Sequence, residues 1–366
     1  MPPTVELIDA HRLILPLARP YHLSFATIRH FELVLVAVRV GGSEGLGECV
    51  PLPGYSPESA DSVWASLRAQ APALAGRPAE EALAELELER ERRPFAAAPL
   101  ITAIETALEP LSPATEAVVP LVGTVGGHDG EEAAGDAERL LAAGHGTLKV
   151  KVGWDPVADA RRVARIQHAV AGRALLRIDA NQAWDLEQAR SFVEHVEPAG
   201  IELFEQPFPP EAWEQSVALA RISPLPLMLD ESIDSEADLE RAIGLGCAQV
   251  VKFKLAKAGG LAALERLTRR ARAGGLKVVL GNGVAGDIEN LGEVLIASRL
   301  IDTVGEMNGF LKPKVRLLRN PYEVVAGSAV VGVGYVPEVD WERVAAHEVD
   351  GFTARAEGRS TAPAIG

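Results

Sequence analysis

The chain has 366 residues, 48% hydrophobic and 24% charged, with a formal net charge of −15 and a pI near 5.1. This length and apolar content predict one large folded domain with a smaller one, and they exclude global disorder. The negative balance argues against nucleic acid and against an anionic membrane surface as partners. Two distant cysteines give no disulfide framework, and neither a signal peptide nor a membrane-spanning apolar run is evident. We therefore expect a cytoplasmic protein.

Residues 1–117 have the pattern of an α+β domain. Residues 5–50 alternate like antiparallel strands, and the glycine-rich stretch 41–45 predicts a hairpin turn with positive φ angles. Glu58 or Ser59 is expected to open the first helix. The helices are expected near 59–74, 79–92 and 99–110.

From residue 118 onward, strands and helices alternate strictly. Eight strands with seven helices between them predict an α/β fold, a modified (β/α) TIM barrel over 118–320, with a doubly wound open sheet as the competing arrangement. The barrel is favoured because polar residues stand at the carboxyl ends of at least six strands, where barrel enzymes carry their chemistry. Residues 321–366 are expected to return to the first domain. The predicted strands are 118–122, 147–152, 174–179, 201–205, 226–230, 249–255, 277–281 and 301–306.

Three successive predicted strands end in a carboxylate. Asp179, Glu205 and Asp230 follow one another at intervals of 26 and 25 residues, which fit a strand, a helix and two loops. The strands are therefore expected to be parallel neighbours, about 4.8 Å apart. Carboxylates this close repel each other unless positive charge lies among them. The spacing predicts that the three acids hold a hard divalent cation.

Lysines occupy alternate positions in two other strands. Lys149 and Lys151 share one face of TLKVKV, and Lys252 and Lys254 share one face of QVVKFKLAK. We expect these faces to point into the barrel, with Lys151 on the second strand and Lys254 on the sixth, on opposite sides of the acids. Such a pair suits removal of a proton α to a carboxylate on one face and separate handling of the other face.

Five motifs resemble the enolase superfamily, specifically its muconate-lactonizing (cycloisomerase) subgroup. They are KVK at 149–151, DAN at 179–181, EQP at 205–207, DES at 230–232 and FKLAKAGGL at 253–261. The similarity covers almost the whole chain, since GLGECVPLPGYSPES in the first domain resembles the capping segment of that family. The resemblance implies a Mg²⁺-dependent isomerase, with Mn²⁺ as the alternative metal, that acts on a small carboxylate through a metal-stabilised enediolate. It also implies a homo-oligomer.

The resemblance assigns a role to individual residues. The metal ligands are Asp179, Glu205 and Asp230; the acid/base pair is Lys151 and Lys254; and Lys149 polarises the substrate carboxylate. The expected substrate contacts are Glu306, Asn282 and Tyr55. Asn181 and Glu231 are expected to support the metal ligands, although strand alternation directs Glu231 away from the barrel mouth. Residues 21–27 and 51–56 are expected to cover the substrate.

Several reactions stay open at this point. The same site would serve a racemase or epimerase, a cycloisomerase, or a β-eliminating enzyme such as a dehydratase or o-succinylbenzoate synthase. A metal-free aldolase that forms a Schiff base on Lys254, and a barrel that binds a small acid without catalysis, are the alternatives of another class. Strand 7 has no histidine, and the end of strand 8 lacks paired aspartates, so the His–Asp dyad of mandelate racemases and the DxD motif of dipeptide epimerases are absent. Lys252 is interpreted as a structural or surface residue.

Overall fold

The computed structural model describes residues 2–22, 27–54, 56–126 and 130–356. The N-terminal part is an antiparallel sheet covered by helices, and we call it the cap. Its elements are β1 (Val5–His22), β2 (Thr27–Val40), β3 (Ser43–Cys49), α1 (Ala60–Leu74), α2 (Ala79–Arg90) and α3 (Pro94–Leu108).

Local sequence explains where the cap elements turn and begin. Gly41 and Gly42 join β2 to β3 with φ angles of 58° and 86°, in the left-handed region that glycine tolerates, as expected. Ser59 opens α1, and its side chain accepts a hydrogen bond from the backbone of Ser62. The third helix begins at Pro94, earlier than expected, because proline is well suited to the first position of a helix.

A parallel sheet of seven strands follows, with helices between its strands. Its order is β5-β6-β7-β8-β9-β10-β11. The elements in chain order are β4 (Ala117–Pro120), β5 (Gly123–Thr124), α4 (Gly130–Ala142), β6 (Thr147–Lys151), α5 (Pro156–Val170), β7 (Leu175–Asp179), α6 (Leu186–His195), β8 (Ile201–Glu205), α7 (Trp213–Ala220), β9 (Leu227–Leu229), α8 (Glu236–Leu245), β10 (Val250–Phe253), α9 (Leu255–Ala258), α10 (Leu261–Ala273), β11 (Lys277–Leu280) and α11 (Asp287–Leu300). The tail adds β12 (Glu323–Val325), β13 (Ser328–Val331), α12 (Trp341–His347) and β14 (Glu348–Arg355).

Residues 305–306 close the ring in place of a regular eighth strand. On one side Gly305 N donates to Pro120 O at 2.8 Å and Val122 N donates to Gly305 O at 2.9 Å. On the other side Glu306 N donates to Leu280 O at 2.9 Å, at the end of β11. The strand expected at 301–306 is therefore reduced to a short bridge, but the predicted α/β barrel with a separate cap is confirmed.

The strand expected at 118–122 is also different. β4 pairs with β13 in a small antiparallel sheet, and only β5 belongs to the barrel. Pro120 ends β4 because it has no backbone N–H to continue the ladder.

The tail also reaches the cap. β14 runs antiparallel to β1, with Leu7 opposite Arg355 and Arg12 opposite Asp350. It becomes the fourth strand of the cap sheet, in the order β14-β1-β2-β3. The domain boundaries after residues 117 and 320 stay predictions.

Two acidic side chains of the cap bind the amino ends of barrel helices. Glu105 of α3 accepts hydrogen bonds from Leu261 N at 2.7 Å and Ala262 N at 3.1 Å, at the start of α10. Glu48 of β3 accepts one from Ile288 N at 3.2 Å, in the first turn of α11. These bonds satisfy N–H groups that have no partner inside their own helix, and they fix the cap over the barrel.

Strand alternation sets the two sides of the barrel wall. Leu148 and Val150 of β6 are fully buried beneath the helices, as are their counterparts in β7, and the intervening polar side chains point inward. Among the helices of the described residues, none is both long and apolar enough to cross a membrane.

Candidate active site

Three buried carboxylates stand at the same end of neighbouring barrel strands. Asp179 is the last residue of β7, Glu205 is the last residue of β8, and Asp230 follows the end of β9. Asp179 lies opposite Glu205 in the parallel register. None of the three is more than 4% exposed. The structure thus places the three acids at the same end of three adjacent strands, as their spacing predicted; we call them the carboxylate row.

The ammonium groups of Lys149 and Lys252 lie between these acids. Lys149 Nζ is 2.8 Å from Asp179 Oδ2 and 2.5 Å from Glu205 Oε2. Lys252 Nζ is 3.2 Å from Glu205 Oε1 and 3.3 Å from Asp230 Oδ2. The sequence interpretation missed Lys252 as a site residue, although the alternation that selected Lys254 places Lys252 on the same face of its strand.

The other two lysines bind the ends of the carboxylate row. Lys151 Nζ lies 2.6 Å from Asp179 Oδ2 and also donates to the side chain of Asn181. Lys254 Nζ lies 2.7 Å from Asp230 Oδ1 and is almost fully buried. Both lysines therefore point into the barrel, on opposite sides of Glu205, as the strand positions predicted.

The lysines compensate the negative charge of Asp179 more completely than that of Glu205. Burial acts to raise the pKa of Asp179, but the ammonium groups of Lys149, Lys151 and Lys252 lower that pKa to about 2. Burial, together with the charge of Asp179, raises the pKa of Glu205 to about 7 despite the two lysines that contact it. The ionised form of Glu205 therefore lacks full compensation by the side chains around it.

Glu306 lies beside the carboxylate row, on the segment that closes the ring. Its carboxylate is 3.0 Å from Lys149 Nζ, 2.5 Å from Lys252 Nζ and 3.5 Å from the guanidinium of Arg177. Arg177 is fully buried and is also held by Glu202 at 2.8 Å. Glu306 lines the site cavity, and its role as a substrate contact stays a prediction.

Asn181 and Glu231 contact each other beside the first acid of the carboxylate row. Asn181 Nδ2 donates to Glu231 Oε1 at 3.2 Å, and Asn181 N donates to Asp179 Oδ1 at 2.9 Å. Both residues line the site cavity. The direction expected for Glu231, away from the barrel mouth, is wrong because β9 ends at Leu229 and strand alternation no longer applies.

Asn282 is placed differently from the other expected substrate contacts. Its side chain donates to Glu289 Oε1 at 3.1 Å and accepts from Val284 N at 2.8 Å, and it is fully buried. The following residue, Gly283, lines the cavity instead. A role for Asn282 as a substrate contact stays a prediction, and Tyr55 lies outside the described residues.

The acids and lysines open onto a cavity of about 300 Å³. Tyr21 of the cap strand β1 and Asn308, beyond the closing segment, form part of its wall. This size suits a small ligand. Another cavity, of about 350 Å³ near Leu46 and Trp341, does not contain the acid and lysine cluster.

The carboxylate oxygens of the carboxylate row are suitable ligands for a hard cation. Carboxylate oxygens are the ligands that Mg²⁺ prefers, and Glu205 Oε2 and Asp230 Oδ1 accept no aligned hydrogen bond from the described residues although ammonium groups lie close to them. Within the same part of the chain, however, no three acidic, histidine or cysteine side chains are gathered around one point. A cation held by this set would take the place of the ammonium groups of Lys149 and Lys252.

The sequence of this chain matches the models of two known protein families. Residues 132–334 match the family described as "Enolase C-terminal domain-like", and residues 8–123 match "Mandelate racemase / muconate lactonizing enzyme, N-terminal domain". The fold and the site together define an enzyme of the enolase superfamily.

Individual proteins narrow this assignment. Muconate cycloisomerase 1 of Rhodococcus opacus is 30% identical over 352 residues, which are 90% of this chain and 94% of that protein. The L-Ala-D/L-Glu epimerase of Bacillus subtilis is 30% identical over 296 residues, 75% of this chain and 80% of that protein. The crystal structure of a muconate lactonizing enzyme from Pseudomonas fluorescens, complexed with muconolactone, gives a TM-score of 0.86 at 28% identity and covers 95% of this chain and 100% of that one.

This chain belongs to the mandelate racemase / muconate lactonizing enzyme family. It is accordingly a metal-dependent isomerase of the cycloisomerase and epimerase kind.

Proposed function

We propose that the chain is a Mg²⁺-dependent isomerase that moves the proton α to the carboxylate of a small substrate. One observation carries this proposal: Lys151 and Lys254 bind opposite ends of a buried carboxylate row that opens onto a cavity. Asp179, Glu205 and Asp230 would hold the cation. The chemistry that Mg²⁺ supplies when bound is neutralisation of the charge that develops on the substrate carboxylate.

The two lysines divide the proton transfer between the faces of the substrate. The neutral amine of one lysine takes the α-proton from its own face, and the ammonium group of the other delivers a proton to the opposite face. The α-carbon is then inverted, and the two lysines have exchanged protonation states. Lys151 and Lys254 are each ion-paired with an acid of the carboxylate row, so the lysine that acts as base must first leave its carboxylate.

The protonated state of Lys149 supports a separate role. Burial acts to lower the pKa of Lys149, but the charges of Asp179, Glu205 and Glu306 raise that pKa above its ordinary value. In this arrangement the three acids favour the ammonium form of Lys149, which suits attraction of the substrate carboxylate better than removal of a proton.

Two members of this family support different outcomes at the same site. The Bacillus subtilis relative is named as an epimerase and the Rhodococcus opacus relative as a cycloisomerase. Racemisation or epimerisation at this site would use both lysines. If one lysine removes the α-proton and a group on the adjacent carbon departs, the result is β-elimination. A homo-oligomeric state, which rests on the family resemblance, and a cytoplasmic location, which rests on the two distant cysteines, belong to the same proposal.

Exchange of the α-proton for solvent deuterium tests the proposal directly. The enzyme would be incubated in D₂O with cis,cis-muconate, N-acetylamino acids, proline derivatives and dipeptides, with Mg²⁺ or with EDTA, and followed by proton NMR. We expect exchange or turnover in one of these classes, lost with EDTA and restored by Mg²⁺.

Two results would contradict the proposal. Turnover that survives EDTA, together with borohydride trapping of a carbonyl substrate on Lys254, would establish the metal-free aldolase instead. An inert response to every probe, with tight binding of one of them, would leave a barrel that binds an acid without catalysis.

A further inference from the structure

The main chain that follows Lys254 is held by two buried acids of a neighbouring helix. Leu255 N donates to Glu293 Oε1 at 2.9 Å, and Ala256 N donates to Glu289 Oε1 at 3.4 Å. Both glutamates lie on α11 and are fully buried. Their carboxylates thus receive the first N–H groups of α9, which has no side-chain cap of its own at Lys254.

The main chain that follows Lys151 is held in the same manner from another helix. Asp159 Oδ2 accepts hydrogen bonds from Gly153 N at 3.0 Å and from Trp154 N at 2.9 Å. Arg162, one turn further along α5, binds the carbonyl oxygen of Lys151 and contacts Asp159 Oδ1 at 3.1 Å. Asp159 is 3% exposed, so this arrangement is also buried.

The two buried acids beside Lys254 are costly to the fold when they are ionised. Burial raises the pKa of Glu293 to about 7, and burial with the charge of Glu293 raises the pKa of Glu289 well above its ordinary value. Buried carboxyl groups are costly and are retained where their hydrogen bonds are needed. Here the bonds go to the two residues directly after Lys254, and to the carbonyl of Lys151 with Gly153 and Trp154 beyond it, close to the point where each strand ends.

We propose that Glu289 with Glu293, and Asp159 with Arg162, are two independent sets of positioning residues, the first for Lys254 and the second for Lys151. Each set then governs proton transfer at one face of the substrate. The inference rests on the proposed function, in which each lysine serves one face. Its physical basis is that a displacement of about 1 Å in a reacting group can reduce the rate about 100-fold.

The test compares substitutions that remove the acceptor with substitutions that keep it. Glu293→Leu removes the acceptor for Leu255 N, whereas Glu293→Gln retains an acceptor oxygen; Asp159→Leu and Asp159→Asn form the matched pair on the other side. The probes are N-acetyl-L-phenylalanine and N-acetyl-D-phenylalanine, each followed separately in D₂O by proton NMR. The second readout is deuterium uptake by the backbone amides of 255–258 and 152–155, measured by mass spectrometry without substrate.

The expected pattern is reciprocal. Glu293→Leu should slow α-proton exchange of one enantiomer by about tenfold or more, and Asp159→Leu should slow exchange of the other, while Glu293→Gln and Asp159→Asn recover most of the rate. Amide deuteration should rise only in the segment next to the substituted acid. Equal slowing of both enantiomers by each variant, or increased deuteration in both segments, would overturn the inference.

Failure of the positioning sets and failure of the proposed function, on which this inference rests, would give different results. If the wild-type enzyme exchanges neither enantiomer, the proposed function fails for this probe, and the amide readout alone decides whether the two sets act independently. If the wild-type enzyme exchanges both enantiomers and the variants show no preference between them, the function stands and the positioning sets are refuted.

Discussion

Lys151 and Lys254 face each other along a single row of acids, the first 2.6 Å from Asp179 and the second 2.7 Å from Asp230. Because the acids lie on adjacent strands and the lysines lie beyond the ends of the row, a substrate held against the row would present one face to each amine. The two lysines are therefore distinguishable by experiment even though their chemistry is the same.

Substitution of one lysine should strongly slow exchange at one face only. In Lys151→Ala and in Lys254→Ala, exchange of one stereoisomer should fall by roughly 10²- to 10⁴-fold, the usual contribution of a general acid or base, and exchange of the other should continue. Proton NMR in D₂O measures both. Lys277→Ala is the matched control, since Lys277 is exposed at the opposite end of a barrel strand. If either site variant racemised both stereoisomers at the native rate, the assignment of two bases would be wrong.

Removal of a carboxylate charge should weaken metal binding and turnover together. Asp179→Asn is expected to reduce Mg²⁺ affinity at least tenfold, comparable to or greater than the loss of an outer hydrogen-bond partner of a metal ligand, with a parallel loss of kcat/KM. Calorimetric titration with Mg²⁺ measures the affinity. Glu187→Gln removes an exposed acid of α6 as a control and should change neither quantity. Unchanged Mg²⁺ affinity in Asp179→Asn would place the cation elsewhere.

The buried Glu48 should make stability depend on pH. Burial, with the charge of Asp287, raises the pKa of Glu48 to about 8 from an ordinary value of 4.5. The folded state therefore holds a proton that the unfolded chain releases above pH 4.5, so this contribution to the free energy of unfolding is complete below that pH and is lost as the pH rises to about 8.

Glu48→Gln should remove this part of the pH dependence. Urea unfolding gives the free energy of unfolding at pH 5 and at pH 8. The change between the two pH values should be smaller in the variant than in the native protein, by on the order of a few kcal/mol. Glu44→Gln, at an exposed position of the same strand, should keep the native slope. Identical slopes for Glu48→Gln and the native protein would show that Glu48 is ionised in the fold.

The contact of Glu105 with α10 should contribute measurably to stability. Glu105→Ala leaves the N–H groups of Leu261 and Ala262 without their acceptor and should lower the free energy of unfolding by about 1 kcal/mol, within the range of lost helix caps. Glu109→Ala, at the exposed end of the same helix, should have little effect. Thermal unfolding of the two variants compares them, and equal losses would argue against a capping role.

The sequence predicted those parts of the site that depend on local periodicity. Alternation placed Lys151 and Lys254 inside the barrel, and the spacing of the acids predicted that they end adjacent parallel strands. Glu231 was misdirected because it lies past the end of its strand, where the period of two no longer holds. The contact of Glu48 with Ile288 joins residues 240 positions apart, and no local pattern indicates such a pair.

The hydrogen bonds from Glu48 and Glu105 to barrel helices limit which caps of homologous enzymes could replace the cap of this chain. A cap exchanged for that of a homologue would need acidic side chains at both places, or two barrel helices would begin with unsatisfied amides. Chimeras built to alter substrate preference should therefore exchange the loops of the cap and leave β3 and α3 in place. Because these two contacts join the cap to the barrel, the two domains should be kept together. Changes in substrate specificity should then be made in the cap loops at the rim of the barrel.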